Sequence, residues 1–172
     1  MQKIDINSLH CSPAGLIGQQ WMLISAGKPG VCGKDFNTMT ASWGGLGFLW
    51  NKPVAYVFIR PNRHTHGFTE QEDMLTLSFM PESCREKLVF CGRNSGRDVD
   101  KMAATGLSAC ATEGGSVAID GAELVLECRK LFRTTLQQAD FVDWSSVSPR
   151  FYNDTDPLHD KYICEITAAY QA

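Results

Sequence analysis

The chain has 172 residues, 44% of them apolar, and a formal net charge of -3. That size suits a single domain, residues 1–172, with a sizeable core. The near-neutral charge, without a basic stripe or an acidic tail, argues against nucleic acid. No apolar leader follows Met1-Gln2-Lys3, and no run approaches the ~20 apolar residues of a membrane helix. A cytoplasmic protein without membrane contact is expected.

Residues 1–15 read as a loose arm ending in Ser12-Pro13-Ala14-Gly15. Leu16 to Ala26 is mostly apolar and predicts a first strand, closed by Lys28-Pro29-Gly30. Asp35 to Ser42 alternates small hydroxyl residues with larger or apolar ones and predicts a second. A glycine-rich corner (Gly44, Gly45, Gly47) and a turn (Asn51-Lys52-Pro53) lead to a third strand, Pro53 to Arg60. Its β-branched and aromatic residues fit a buried sheet position.

His66 to Glu72 has room for one helical turn, and Met74 to Met80 alternates as a fourth strand. Pro81 opens a helix that Gly92 favours ending, and a shorter helix fits Asp98 to Ala104. Short strands are expected at Leu107–Thr112 and Ser116–Ile119, and a long one at Ala122–Thr134. Thr135 to Pro157 is polar and aperiodic, and Lys161 to Tyr170 closes the chain as a strand. Mostly strands, with two helices inserted between residues 81 and 106, favour a nearly closed antiparallel β-barrel with helical inserts.

Familiar catalytic spacings are missing. Gly44-Gly45-Leu46-Gly47 is not a dinucleotide fingerprint, because Trp50 stands at the last glycine position. Seven cysteines, an odd number with no Cys-x-x-Cys pair, favour neither a disulfide framework nor a zinc site. They read as packed thiols, with Cys164 the first candidate for a functional one. His64 and His66 would share a face on a strand, but no third ligand lies near in sequence.

What remains is an anion site. Arg60, Arg63 and Thr65 follow one buried strand, and Thr40 and Ser42 end another. Arginine forks and hydroxyls suit the oxygens of a phosphate monoester. The alternative is surface ion pairing of the arginines with Glu70, Glu72 or Asp73. Trp43, Phe48 and Trp50 read either as core or as rings stacking on a cofactor.

Several blocks resemble the flavoredoxin branch of the flavin reductase-like family. They are Asn37-Thr38-Met39-Thr40-Ala41-Ser42-Trp43-Gly44-Gly45, Trp50-Asn51-Lys52-Pro53 and Ile59-Arg60-Pro61-Asn62-Arg63-His64-Thr65. Thr76-Leu77-Ser78-Phe79, Ser95 to Lys101, Leu126 to Arg129 and Tyr162 to Ile166 follow in family order. The resemblance implies an FMN-binding split β-barrel, homodimeric, with flavin near the subunit interface. It implies electron transfer from NAD(P)H to flavin, or alternatively an electron carrier that keeps FMN and takes electrons from a redox protein partner.

On this resemblance Asn37, Thr38, Met39, Thr40, Ala41, Ser42 and Trp43 would meet the ring edge and ribityl chain. Arg63 and Thr65, with Lys101 and Ser95, would bind the phosphate. Arg60 would join them or hold its loop, and His159 would contact flavin or nicotinamide or be structural. No protein acid or base is implied. Cys164 stands where relatives often have glycine, His64 and His66 where they often have aromatics, and residues 134–157 match poorly.

Overall fold

The computed structural model describes residues 1–152 and 156–172. An eight-stranded antiparallel sheet carries the fold. Its strands are β1 (Gln2–Ile4), β2 (Met22–Gly27), β3 (Phe36–Ala41), β4 (Gly44–Leu49), β5 (Lys52–Ile59), β6 (Met74–Phe79), β9 (Leu124–Thr135) and β10 (Asp160–Gln171). The spatial order is β3-β2-β6-β9-β10-β5-β4, with β1 added to the end of β10. A separate hairpin pairs β7 (Ala109–Ala111) with β8 (Val117–Ile119). The sheet's two edge strands, β3 and β4, are consecutive in sequence, joined through Ser42 and Trp43 and not paired with each other. This is a split β-barrel.

Alternation builds two cores from the same strands. Met22, Ile24 and Ala26 of β2 and Leu124, Leu126 and Cys128 of β9 point into the barrel with Val57, Leu77, Tyr162 and Cys164. Leu23 and Val125, on the opposite faces, pack outward beneath α3 (Arg85–Arg93) against Leu88 and Cys91. Period-2 patterning alone places these residues.

Among the described residues five α-helices decorate the sheet: α1 (Pro13–Gly15), α2 (His64–Gln71), α3, α4 (Lys101–Thr105) and α5 (Trp144–Phe151). Asp100 caps α4 through the amides of Met102 and Ala103, and left-handed Gly106 ends it. Among the described residues no helix is long and apolar enough to cross a membrane.

Several expectations are corrected. Leu16–Gln20 is a wide helical turn, not strand, because Ser12 caps the start of α1 through the Gly15 amide and the chain winds on. The glycines of the expected corner are β4 itself. Its hairpin with β5 turns on Trp50 and Asn51, both at positive φ (53° and 57°), as a two-residue turn of the primed kind requires. Phe48 and Trp50 are exposed, not core. The aperiodic stretch holds α5, capped by Asp143 through the Ser146 amide and interrupted by Pro149; its residues 153–155 lie outside the described residues.

All cysteines are free. Cys11 alone is fully exposed, whereas Cys32, Cys91, Cys128 and Cys164 are buried. Cys164 packs inside the barrel, where burial pushes its thiol up to about 12. It is a small apolar filler there.

Candidate functional site

Two clefts open side by side where β3 meets the loop after β5. The first, about 240 Å³, is lined by Asn37, Asn62, Arg63, Thr65, Ser95 and Lys101, with Arg93 and Arg97 at its rim. The second, about 330 Å³, runs along Met39 to Trp43 and is walled by Phe58, Arg60 and His159. Met39, Arg63 and Asp156 border both. The structure therefore brings residues 37–43 and 60–65 together, as well as Ser95, Lys101 and His159.

The first cleft is rich in donors. Lys101 is buried, and its ammonium donates to the Thr38 carbonyl at 2.7 Å and the Cys91 carbonyl at 2.8 Å. Burial pulls its pKa below the ordinary lysine value. Among the described residues it has no carboxylate partner, and three ammonium protons face two carbonyls. Thr65, fully buried at the start of α2, accepts from Asn37 Nδ2 at 2.8 Å and keeps its own hydroxyl proton to donate. Arg63 donates to the Gly92 carbonyl at 3.0 Å with one nitrogen of its fork. A Cβ on Gly96 would lie 2.0 Å from Asn37 Oδ1, so the turn after Ser95 closes tightly on β3. A set of donors that outnumbers its single carboxylate, Asp156, around a glycine-lined hollow fits a phosphate group.

The second cleft is flatter and more apolar. The Thr38 side chain turns away from it, with Oγ1 donating to the Ile24 carbonyl and accepting from Ser25. Thr40 Oγ1 is likewise occupied, donating to the Leu88 carbonyl at 2.5 Å. Met39, Thr40, Ala41, Ser42 and Trp43 line the cleft along this strand end.

His159 and Arg60 form its far wall. Arg60 Nε donates to His159 Nε2 at 3.3 Å, so the imidazole carries its proton on Nδ1 and donates to Tyr152 Oη at 3.1 Å. Burial, then the Arg60 and Arg63 charges, push His159 down to about 4, so it stands neutral. Both ring nitrogens are spent, which leaves its ring face for contact. Arg60 also donates to the Phe151 carbonyl at 2.7 Å and pairs with Asp156. It pins the end of α5 against the cleft, where the Phe151 and Trp43 rings meet edge-on at 5.0 Å. Arg60's side-chain contacts thus run to the end of α5, Asp156 and His159.

Sequence reasoning passed over Asn62, Arg93, Arg97 and Phe58 as lining residues. The turn-forming run Arg93-Asn94-Ser95-Gly96-Arg97 between two helices was the available signal. His64 and His66 sit on α2 and diverge: His64 meets the Gly33 carbonyl at 3.1 Å and His66 meets Asp160 at 2.7 Å. Among the described residues no group of three or more His, Cys, Asp or Glu gathers as metal ligands would.

A split barrel with helices around one open strand end defines the class of β protein to which this chain belongs. Residues 14–172 match the profile of the flavin reductase like domain, and the chain belongs to that family. Among solved structures it is similar to the flavoredoxin of Methanosarcina acetivorans, with 23% identity and a TM-score of 0.66 over 100% of this chain and 76% of that one. It is similar to the FMN-binding protein of Thermus thermophilus with bound 1-cyclohex-2-enone, with 22% identity and a TM-score of 0.66 over 99% and 78%. It is also similar to the flavoredoxin of Desulfovibrio vulgaris (Miyazaki F), with 16% identity and a TM-score of 0.67 over 99% and 77%. No curated protein matches.

Proposed function

We propose that the chain, as one domain, binds FMN across the two joined clefts and transfers reducing equivalents from NADH or NADPH to that flavin. The observation that carries this is the Lys101 ammonium, buried without a carboxylate partner among the described residues beside Thr65 and Arg63. A buried cation so placed calls for an anion. Membership of the flavin reductase like family supports flavin as the ligand.

In this reading Arg63, Thr65, Lys101 and Ser95 hold the phosphate, and residues 37–43 border the ring edge with backbone groups and Ser42. When bound, FMN accepts a hydride and passes electrons onward. The chain's residues bind, orient and exclude water. Trp43 and His159 offer ring faces at the mouth, with centroids 5.1 Å apart. No side chain here is asked to move a proton.

A homodimer belongs to the same reading. Phe48, Trp50 and Phe132 are 68%, 53% and 44% exposed around the β4–β5 hairpin, the kind of surface a second copy covers. Sedimentation at micromolar concentration checks it, with a monomer counting against it.

The test is to titrate purified protein with FMN, then add NADH or NADPH and follow nicotinamide absorbance. Saturable flavin binding and nucleotide oxidation are expected. Arg63→Ala should weaken FMN binding by ~2 kcal/mol. The latched end of α5 at the ring cleft favours a second reading, a carrier served by a redox protein. Tight FMN binding with negligible nucleotide oxidation would select it, and no flavin binding at all would sink both.

A further inference from the structure

Five rings run in contact from the ring cleft to the outer surface of α5. Trp43 and His159 line the cleft, with centroids 5.1 Å apart. His159 meets Tyr152 edge-on at 5.7 Å, beside the hydrogen bond between its Nδ1 and the tyrosine hydroxyl. Tyr152 stacks on Trp144 at 5.8 Å, 8° from parallel. Phe141 ends the row, edge-on to Trp144 at 4.9 Å. These spacings are direct ring contacts. Among the described residues Trp43, Tyr152, Trp144 and Phe141 belong to none of the apolar cores of the sheet.

The row ends in a small mixed patch. Val142 is fully exposed beside half-buried Phe141 and Trp144, and the exposed Asp140 and Asp143 flank it. From Thr134 to Pro149 those two carboxylates are the only charged side chains. An apolar centre inside a polar rim is the usual build of a contact surface. The sign of this rim favours a partner with lysines around its own contact face.

The cleft is too small for a protein's redox centre. At about 330 Å³ it admits the flat ring of a small donor, not a metal centre enclosed in a second protein. Such a partner has to exchange electrons through the wall, and α5 is part of that wall. Arg60 holds its Phe151 carbonyl at 2.7 Å, and Phe151 meets Trp43 edge-on at 5.0 Å. Electron tunnelling falls off steeply with each gap between groups, and the row joins Phe141 to the cleft by contacts throughout. Transient electron-transfer complexes need only small contact areas.

We infer that the α5 tip, Val142 with Phe141 and Trp144 inside the Asp140 and Asp143 rim, docks a one-electron carrier protein with a lysine-rich contact face. This rests on the flavin reading above and names the surface and partner of its carrier form. In each encounter one electron crosses between the partner's metal centre and the bound flavin. One is oxidised as the other is reduced, in the direction their potentials set, and no bond is made or broken. Two encounters and one proton from water equal one hydride.

The probe is ferricytochrome c, a lysine-rich haem protein that accepts one electron. Its binding to the flavin-free full chain is measured first, by calorimetric titration at low salt. Asp140→Lys should weaken it by about tenfold, and Glu113→Lys, an equal charge reversal on the β7–β8 turn, by less than about twofold. Equal losses from both overturn the docking site. FMN-loaded protein reduced with dithionite is then mixed with ferricytochrome c or with ferricyanide, which is small enough to reach the cleft directly. Trp144→Ala should slow haem reduction by about tenfold and ferricyanide reduction by less than about twofold, and Trp144→Phe, which keeps a ring, should recover most of the rate. Limited proteolysis within 137–158 shows whether α5 stays in place in both variants. Haem reduction unchanged in Trp144→Ala, or equally slow in Trp144→Phe with α5 in place, overturns the ring row. Failure of wild type to bind any flavin overturns the flavin reading itself, and the titration on flavin-free protein still tests the surface.

Discussion

Asn37 on β3 and Thr65 at the start of α2 are joined by one hydrogen bond, Nδ2 to Oγ1 at 2.8 Å, with both side chains buried. This contact ties the strand that borders the ring cleft to the helix start that borders the phosphate cleft. Thr65→Val keeps the shape and removes the acceptor, leaving the Asn37 amide unpaired. It should cost about 1–3 kcal/mol of stability and weaken FMN binding as well. Urea unfolding and flavin titration on one preparation check both; loss of stability with unchanged affinity would remove Thr65 from the site.

Lys101→Met keeps the chain length and removes the ammonium held by the Thr38 and Cys91 carbonyls. Stability should change little, because relief of the buried charge offsets the lost hydrogen bonds. FMN affinity should fall by about tenfold or more. Equal FMN affinity in both proteins would show that the lysine only braces α4 against β3.

His159 gives stability an acid-sensitive step. Its folded pKa is about 4 against an ordinary 6.5. Between those values the unfolded chain binds more protons, so stability rises with pH through that window. The contribution is complete above about pH 6.5 and is lost on acidification towards pH 4, about 3 kcal/mol in all. Glu127 and Asp160 are held below their usual values and lose their contributions only at lower pH. Burial opposes that shift in both. It is outweighed by hydroxyl donors on Glu127, and by Thr135, His66 and Arg133 on Asp160. Urea midpoints from pH 4 to 7 should slope steeply in wild type and flatten in His159→Gln; parallel curves would contradict this.

Arg60→Met should free the end of α5 without unfolding the barrel. Its guanidinium supplies the bond to the Phe151 carbonyl and the pair with Asp156, and neither holds sheet strands together. Limited proteolysis should then cut within 137–158 much faster than in wild type, at a nearly unchanged melting temperature. Identical cleavage rates would assign the latch to the aromatic contacts of Phe151 and Tyr152 instead.

The barrel was legible wherever one face differed from the other. Met22 to Ala26 and Leu124 to Cys128 alternate between two cores; the second was read from its alternation, the first only from its apolar run. Leu16–Gln20 misled because its apolar residues carry no period, and Ser12 and Pro13 outweighed them. The α5 helix was hidden by Ser145, Ser146, Ser148 and Pro149, poor helix formers held by the Phe141, Trp144 and Tyr152 rings. Of the site, the converging segments were readable from their residue types. The direction of each hydroxyl was not, since Thr38 and Thr40 spend theirs on neighbouring carbonyls that only the folded sheet supplies. Arg93 and Arg97 were missed because their turn meets β3 across more than fifty residues of sequence.

Six of the seven thiols are wholly or partly shielded, and Cys11 on the N-terminal arm is the exposed one. A brief treatment with a maleimide should therefore attach a dye or an electrode linker at that position first. A native chain can thus be wired for single-molecule or voltammetric work with no engineered cysteine.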